Sequence, residues 1–259
     1  MNIVAIIQAR MGSTRMPNKV MHKIIDTPMI KILFDRVSLS KKINKIILAT
    51  TTNHNDDLLA NYLKHINYDV YRGDEVNVLD RYYQAAEKEN ADVIVRITGD
   101  CPLVDSSLVD QCVQEFKNSN VDYFSNIEPP TFPDGLDIEV MSLASLKIAN
   151  KEASTKYDRE HVTPYIHKNP EKFQISNFEN DIDLSNFRWA VDEKDDLLFV
   201  KKIVSKLNKK PILINDILNV IKNEPKIFEI NLNVNRNAGD KKSTKEDIEF
   251  LKNREKQNE

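Results

Sequence analysis

A three-layer α/β/α protein with a mostly parallel central sheet is predicted by three features of this 259-residue sequence. Short β-branched runs recur along the first hundred residues. Helical hydrophobic faces lie between them. The order β-loop-α-β-α repeats, and right-handed crossovers wind that order into a sheet covered on both sides.

The runs Ile3-Val4-Ala5-Ile6-Ile7, Lys45-Ile46-Ile47-Leu48-Ala49 and Asp92-Val93-Ile94-Val95-Arg96-Ile97 are nearly continuous in apolar character, as buried parallel strands are. Between and after them, Ile30, Leu33, Phe34 and Val37 fall at i, i+3, i+4 and i+7. The same spacing joins Leu59, Tyr62, Leu63 and Ile66, and then Val109, Cys112, Val113 and Phe116. The second half is less regular. The stretch EPPTFPDG, Glu128 to Gly135, reads as a loop, and Leu136 to Met141 alternates like a strand. Helices are predicted over Ser142 to Ala153 and Lys194 to Leu207, and a strand over Phe187 to Val191. One catalytic domain is expected over residues 1–230, followed by a polar C-terminal extension, 231–259, holding one short helix.

Composition excludes several classes of function. A net charge of -3 argues against a nucleic-acid partner, whose phosphates demand a basic surface. No apolar stretch approaches the ~20 residues needed to cross a bilayer, and the N-terminus lacks a leader pattern, so no membrane partner and a cytoplasmic location are expected. The two cysteines, Cys101 and Cys112, lack the spacing of a disulfide framework or zinc site.

The chemistry concentrates where the first strand ends. Gln8 closes that strand, and Arg10, Arg15 and Lys19 follow within a segment that also holds Ala9, Gly12, Ser13 and Thr14. Ligands of open α/β sheets bind beyond the carboxyl ends of the strands. Backbone N–H groups of a Gly12-Ser13-Thr14 turn, with three fixed cations around them, suit a triphosphate. The spacing is neither that of a Walker A loop nor that of a dinucleotide fold. A solvated basic turn is the plain alternative.

The run Gln8 to Lys19, QARMGSTRMPNK, resembles the signature of the cytidylyltransferase superfamily that activates acidic sugars, in particular its spore-coat polysaccharide branch. Further motifs follow in the order of that branch: Tyr71-Arg72-Gly73-Asp74, Asn77 to Tyr82, Thr98-Gly99-Asp100-Cys101-Pro102, Phe132 to Glu139, Arg159 to Pro164 and Trp189-Ala190-Val191-Asp192. Roughly two hundred residues are covered. The loop departs from the family at Asn18, where glycine is usual; asparagine tolerates a left-handed backbone, so the loop should survive.

The resemblance implies a Rossmann-like nucleotidyltransferase fold and transfer of CMP from CTP to an acidic sugar or a sugar or organic-acid phosphate, with release of pyrophosphate, in surface polysaccharide or glycan-precursor synthesis. Arg10, Arg15, Lys19 and Asp100 would be catalytic. Gln8, Ala9, Gly12 and Ser13 would join those cations at the nucleotide, with Arg72, Gly73 and Asp74 beside the base. Arg72 could equally end a strand and pair with a carboxylate. The implied cofactor is Mg2+, held by Asp100 and Asp192, because magnesium takes one or two carboxylates plus phosphate oxygens and water. Asp192 could instead cap the helix from Lys194, and Asp195 and Asp196 are rival ligands. On the acceptor side stand Asp134, Asp137, Glu139, Arg159, Glu160 and His161. His161 reads either as a general base or as a helix histidine packed on Tyr165. Tyr157, Tyr165 and Trp189 read as core or rim. A homodimer is implied by the resemblance. The competing functions are a nucleotide-sugar-dependent glycosyltransferase, disfavoured by a single Asp at the metal strand, and a nucleotide-binding module without turnover.

Overall fold

The computed structural model describes residues 1–207 and 210–234. The chain opens with β1 (Ile3–Gln8), then a two-stranded hairpin of β2 (Lys23–Ile24) and β3 (Thr27–Pro28), then α1 (Met29–Val37), β4 (Lys45–Thr51), α2 (Asp57–His65), β5 (Asp69–Gly73), α3 (Val78–Lys88), β6 (Val93–Thr98) and α4 (Ser106–Ser119). The second half adds β7 (Tyr123–Ser125), β8 (Glu139–Ser142), α5 (Leu143–Glu152), α6 (Lys156–His161), α7 (Pro164–Lys168), β9 (Ile175–Asn177), α8 (Lys194–Lys206) and α9 (Ile214–Asn223).

Seven strands form one sheet in the order β5-β4-β1-β6-β8-β7-β9. Every pairing is parallel except those of β8, which runs antiparallel to both β6 and β7. The period-two alternation of side chains divides the core. Ala5, Ile7, Val95 and Ile97 face the layer built from α1, α2, α4, α8 and α9, whereas Val4, Ile6 and Ile94 face α3, α5 and α7. Each such fully buried isoleucine or valine contributes roughly 1.5–3 kcal/mol. Continuous burial of β1, rather than alternation with water, explains its unbroken apolar sequence.

The same alternation positions the cleft. On the α3 side, at the carboxyl end of the sheet, apolar residues give way to Gln8 and Thr98, which are paired in register, and to Arg96, which lies opposite Glu139. The core therefore ends in a polar floor.

Two predicted strands change. The span Phe187–Val191 is not part of the sheet: it makes one bridge, Asp134 to Arg188, and its amides at Trp189 and Ala190 donate to Asp134 O while that of Val191 donates to Asp100 O. Its hydrogen bonds thus tie the Asp134 loop to the end of β6 instead of extending a ladder. The predicted strand from Leu136 begins only at Glu139, because the Asn126 side chain bonds Leu136 O and Ile138 N, each at 2.8 Å, in place of a neighbouring strand. Of the polar extension, residues 235–259, with the expected short helix, lie outside the described residues. Among the described residues, no helix is long and apolar enough to cross a membrane.

Candidate active site

The loop after β1 is built from its own backbone and one buried carboxylate. Asp56, 2% exposed, accepts from Met11 N at 2.6 Å and from the Thr51 hydroxyl. Met11 and Met16 are buried and anchor the loop to the core. Its ends are closed by Asn18 N donating to Met11 O at 3.0 Å, and Ser13 Oγ accepts from Met16 N at 3.3 Å. Asn18 has φ 58° and ψ 23°, the left-handed conformation that glycine adopts freely and asparagine tolerates. Asn18→Gly is therefore expected to leave stability within a few tenths of a kcal/mol, and Asn18→Val to cost about 1–2 kcal/mol, by urea denaturation.

Close approach of two strand ends sets the next element. Gly99 N donates to Gln8 O at 2.8 Å, and a Cβ on Gly99 would lie 2.6 Å from Ala9 Cβ. Only glycine lets the turn after β6 press against the first loop, and the following residue, Asp100, then faces Lys19.

Lys19 Nζ bridges Asp100 Oδ2 at 2.9 Å and Asp192 Oδ1 at 2.8 Å. Asp192 Oδ1 also receives Arg15 at 2.9 Å, and its Oδ2 receives Arg188 at 2.8 Å. Burial would raise the Asp100 carboxyl, but the Lys19 ammonium and hydrogen bonds from Thr98, Lys19 and its own backbone N–H outweigh it and hold the group well below the ordinary carboxylate range. Burial likewise works against the Lys19 charge, and the two aspartates more than offset it, raising its pKa above 10.5. The signs fix a stability profile. The Asp100 contribution is present above the unfolded carboxylate value of 3.8 and is lost as pH falls below it; that of Lys19 is present below 10.5 and lost as pH rises through its raised value. Lys19→Met is expected to flatten both limbs of a denaturation-midpoint profile between pH 2 and 12.

Arg188, 8% exposed, organises the far side. Its guanidinium reaches Asp134, Asp192 and Asp196. Asp196 is fully buried and accepts from the backbone N–H of Asp192 and of Glu193 as well. Asn231, in the turn after α9, donates to Arg188 O and to Asp196 Oδ1 at 3.0 and 2.9 Å. The three aspartates are placed differently: Asp195 is exposed, Asp196 is enclosed as a brace, and Asp192, alone of the three, faces Lys19 and Asp100. Glu193, not Asp192, is the residue that precedes α8 as its cap.

Two cavities meet over this cluster. The first, about 530 Å³, is lined by Gln8, Ala9, Arg10, Gly12, Ser13, Arg15 and Lys19, and also by Glu75, Arg81, Lys156, Glu160 and His161. The second, about 670 Å³, is lined by Asp134, Asp137, Glu139, Tyr157, His161, His167, Lys168 and Arg188. Gln8, Arg15, Arg96, Thr98, Asp100, His161 and Asp192 border both. Six cations and four carboxylates line the first cavity; four cations and six carboxylates line the second. Each cation of the second has a carboxylate partner: Arg15 with Asp192, Arg96 with Glu139, Lys168 with Asp158, and Arg188 as described.

Several expected site residues stand elsewhere. Arg72, Gly73 and Asp74 line neither cavity. The Arg72 guanidinium bonds Thr51 O, Asn53 O and Asp57, and Asp74 accepts from the amides of Val76 and Asn77 ahead of α3. Their place at the rim is taken by Glu75, Val76 and Val78, with Glu75 3.1 Å from Arg10. Arg159 also turns away, tying Asn150 Oδ1 and Ala153 O at 2.9 and 2.6 Å. His161 packs on Tyr157, not on Tyr165, with ring centroids 4.6 Å apart. Trp189 is fully buried, and the Cys101 thiol is raised by burial and by Asp100, which keeps it neutral. Arg188, Asn231, Asp56 and Arg96 are not singled out by the sequence, and Asp196 is singled out there only as a rival to Asp192, not as the brace of Arg188; among them Arg188, four residues before Asp192, also carries a local signal.

Asp100 and Asp192 are the pair that could hold a divalent ion. Among the described residues no group of three or more metal-ligating side chains occurs. Two hard carboxylates fit an ion that completes its shell with phosphate oxygens and water, as magnesium does.

Such an arrangement, a basic loop and two converging carboxylates at the carboxyl edge of a mostly parallel sheet, defines a nucleotidyltransferase of α/β/α type. Residues 4–234 match the cytidylyltransferase family model, and the chain belongs to that family, a CTP-dependent nucleotidyltransferase. A solved cytidylyltransferase from Leptospira borgpetersenii is 34% identical, with a TM-score of 0.85 over 88% of this chain and 97% of that one. The spore coat polysaccharide biosynthesis protein SpsF of Bacillus subtilis is 32% identical over 81% of this chain and 89% of its own. The fold extends to a CMP:2-keto-3-deoxy-manno-octonic acid synthetase solved with CTP, at 16% identity and a TM-score of 0.64 over 80% and 99% of the two chains.

Proposed function

We propose that this protein transfers CMP from CTP to a small acidic acceptor, an acidic sugar or a sugar or organic-acid phosphate, with release of pyrophosphate, in surface polysaccharide or glycan-precursor synthesis. The observation that carries the reading is the Asp100–Lys19–Asp192 cluster at the border of one cavity rich in cations and one rich in carboxylates. The relationship to the spore-coat protein supports the glycan setting. The proposed setting is the cytoplasm, with a homodimer as the assembly.

The triphosphate lies in the first cavity, with the N–H groups around Gly12 and the side chains of Arg10, Arg15 and Lys19 on its phosphates. The acceptor lies in the second. Its anionic group enters at the shared border beside Arg15, and its hydroxyls donate to Asp134, Asp137 and Glu139. The acceptor oxygen attacks the α-phosphorus in line; the new O–P bond forms as the bond to the bridging oxygen breaks, and that electron pair leaves with pyrophosphate. A hydroxyl acceptor gives its proton to His161, which borders both cavities. Asp100 and Asp192 would hold Mg2+, which would supply charge neutralisation at the phosphates. Catalysis is otherwise alignment and electrostatic stabilisation by the chain's own cations.

Pyrophosphate release with CTP, MgCl2 and a panel of acidic sugars and sugar phosphates tests the reading. Acceptor-dependent release supports it. Hydrolysis of a nucleotide sugar, or CTP binding without turnover against the whole panel, overturns it.

A further inference from the structure

We propose that Lys19 is a placeholder in the metal seat: its ammonium occupies the point where Asp100 and Asp192 converge, and the divalent ion enters only when a triphosphate draws Lys19 away. The inference rests on the reading of Asp100 and Asp192 as metal carboxylates and adds an order of assembly to it.

The geometry is that of a filled site. One ammonium takes Asp100 Oδ2 at 2.9 Å and Asp192 Oδ1 at 2.8 Å. The cluster is shielded, with the Lys19 side chain 13% exposed and the two carboxylates 26% and 18%. Asp192 Oδ1 is held a second time by Arg15, and Asp192 Oδ2 by Arg188. A divalent ion arriving alone meets cations on the oxygens it must bind, in a place where solvent screening is weak. It also finds two protein carboxylates, fewer than the six ligands magnesium requires. Without Lys19, in turn, Asp100 and Asp192 would face each other with no charge between them.

A triphosphate removes both obstacles. Its oxygens offer Lys19 and Arg15 new anionic partners on the same loop that carries them. They also supply the missing ligands. Nucleotide and metal then bind with positive coupling, and by linkage each tightens the other. Arg188 stays where it is, because Asp134 and Asp196 hold it independently of Asp192.

The test is Mn2+ binding to the full chain without nucleotide, followed by electron paramagnetic resonance. Wild type is expected to show no tight site. Lys19→Met should gain one, with affinity raised about tenfold or more by removal of the adjacent charge, and Lys19→Met/Asp100→Asn should lose it again. Lys156→Met removes a cation that lines the same cavity but is not the ammonium bridging Asp100 and Asp192, and should gain nothing, which separates an emptied seat from a general change in charge. Lys19→Gln serves as the second variant if Lys19→Met unfolds. Wild type binding Mn2+ as tightly as Lys19→Met, or Lys156→Met gaining an equal site, overturns the proposal. If CTP turnover requires a divalent ion and the Lys19 variants gain no site, the placeholder role alone falls; if turnover needs no divalent ion, the metal reading falls with it.

Discussion

Asp100→Asn is expected to lower CMP transfer by about 10³-fold or more while leaving the thermal midpoint within a few degrees of wild type. The substitution keeps the shape of the side chain and removes its charge. Lys19 retains Asp192, and the Gly99 turn retains its bond to Gln8 O, so the first loop keeps its anchors. What is lost is one of two hard carboxylates at the border of the cavities, and with it the charge that holds the ammonium between them. Steady-state pyrophosphate release, with circular dichroism as the folding control, reads the two effects apart. Activity within tenfold of wild type would remove Asp100 from the catalytic set.

Gly135→Ala should be the most damaging small substitution for the fold, costing about 3–5 kcal/mol by chemical denaturation. Gly135 has φ +100°, and a Cβ there would stand 2.4 Å from Ala190 N and 2.7 Å from Trp189 C. Those neighbours are backbone and cannot swing aside. The clash falls where the Asp134 loop meets the 188–191 segment, so relief would separate Asp134 from Arg188 and disturb Asp192. Gly12→Ala offers the contrast. A Cβ there meets only Glu75 Oε1 at 3.9 Å, and stability should change by no more than about 0.5 kcal/mol. A Gly135→Ala protein as stable as Gly12→Ala would show that the two segments part without cost.

The first half of the fold was legible because its signals are local. Strand β1 and its loop are contiguous, so Gln8, Arg10, Gly12, Arg15 and Lys19 were read together and are found lining one cavity. Asp100 could be placed from its position just after a buried strand. The departure at Asn18 was legible too, since the left-handed conformation it adopts is one that asparagine tolerates. Arg72 takes the second of its two readings, ending a strand and pairing with Asp57, and Arg159 faces away from the cavities, for one physical reason: a guanidinium near a cleft can turn either to ligand or to backbone carbonyls, and the choice depends on Thr51, Asn53 and Ala153, which are remote in sequence or carry no charge. The strand expected over Phe187–Val191 failed similarly. Its composition is strand-like, but its hydrogen-bond partners are a loop residue, Asp134, and Asp100. Asn231 gave no signal, and Asp196 only that of a rival carboxylate, because the importance of both lies in what Arg188 gathers around itself.

The contact between Asn231 and the Arg188–Asp196 pair governs how far the protein can be shortened. A chain stopped at Ile230 would leave Arg188 O without its amide donor and Asp196 with one bond fewer, four residues from Asp192 and behind it. Trimming for crystallisation, or fusing a reporter at the C-terminus, should therefore retain Asn231.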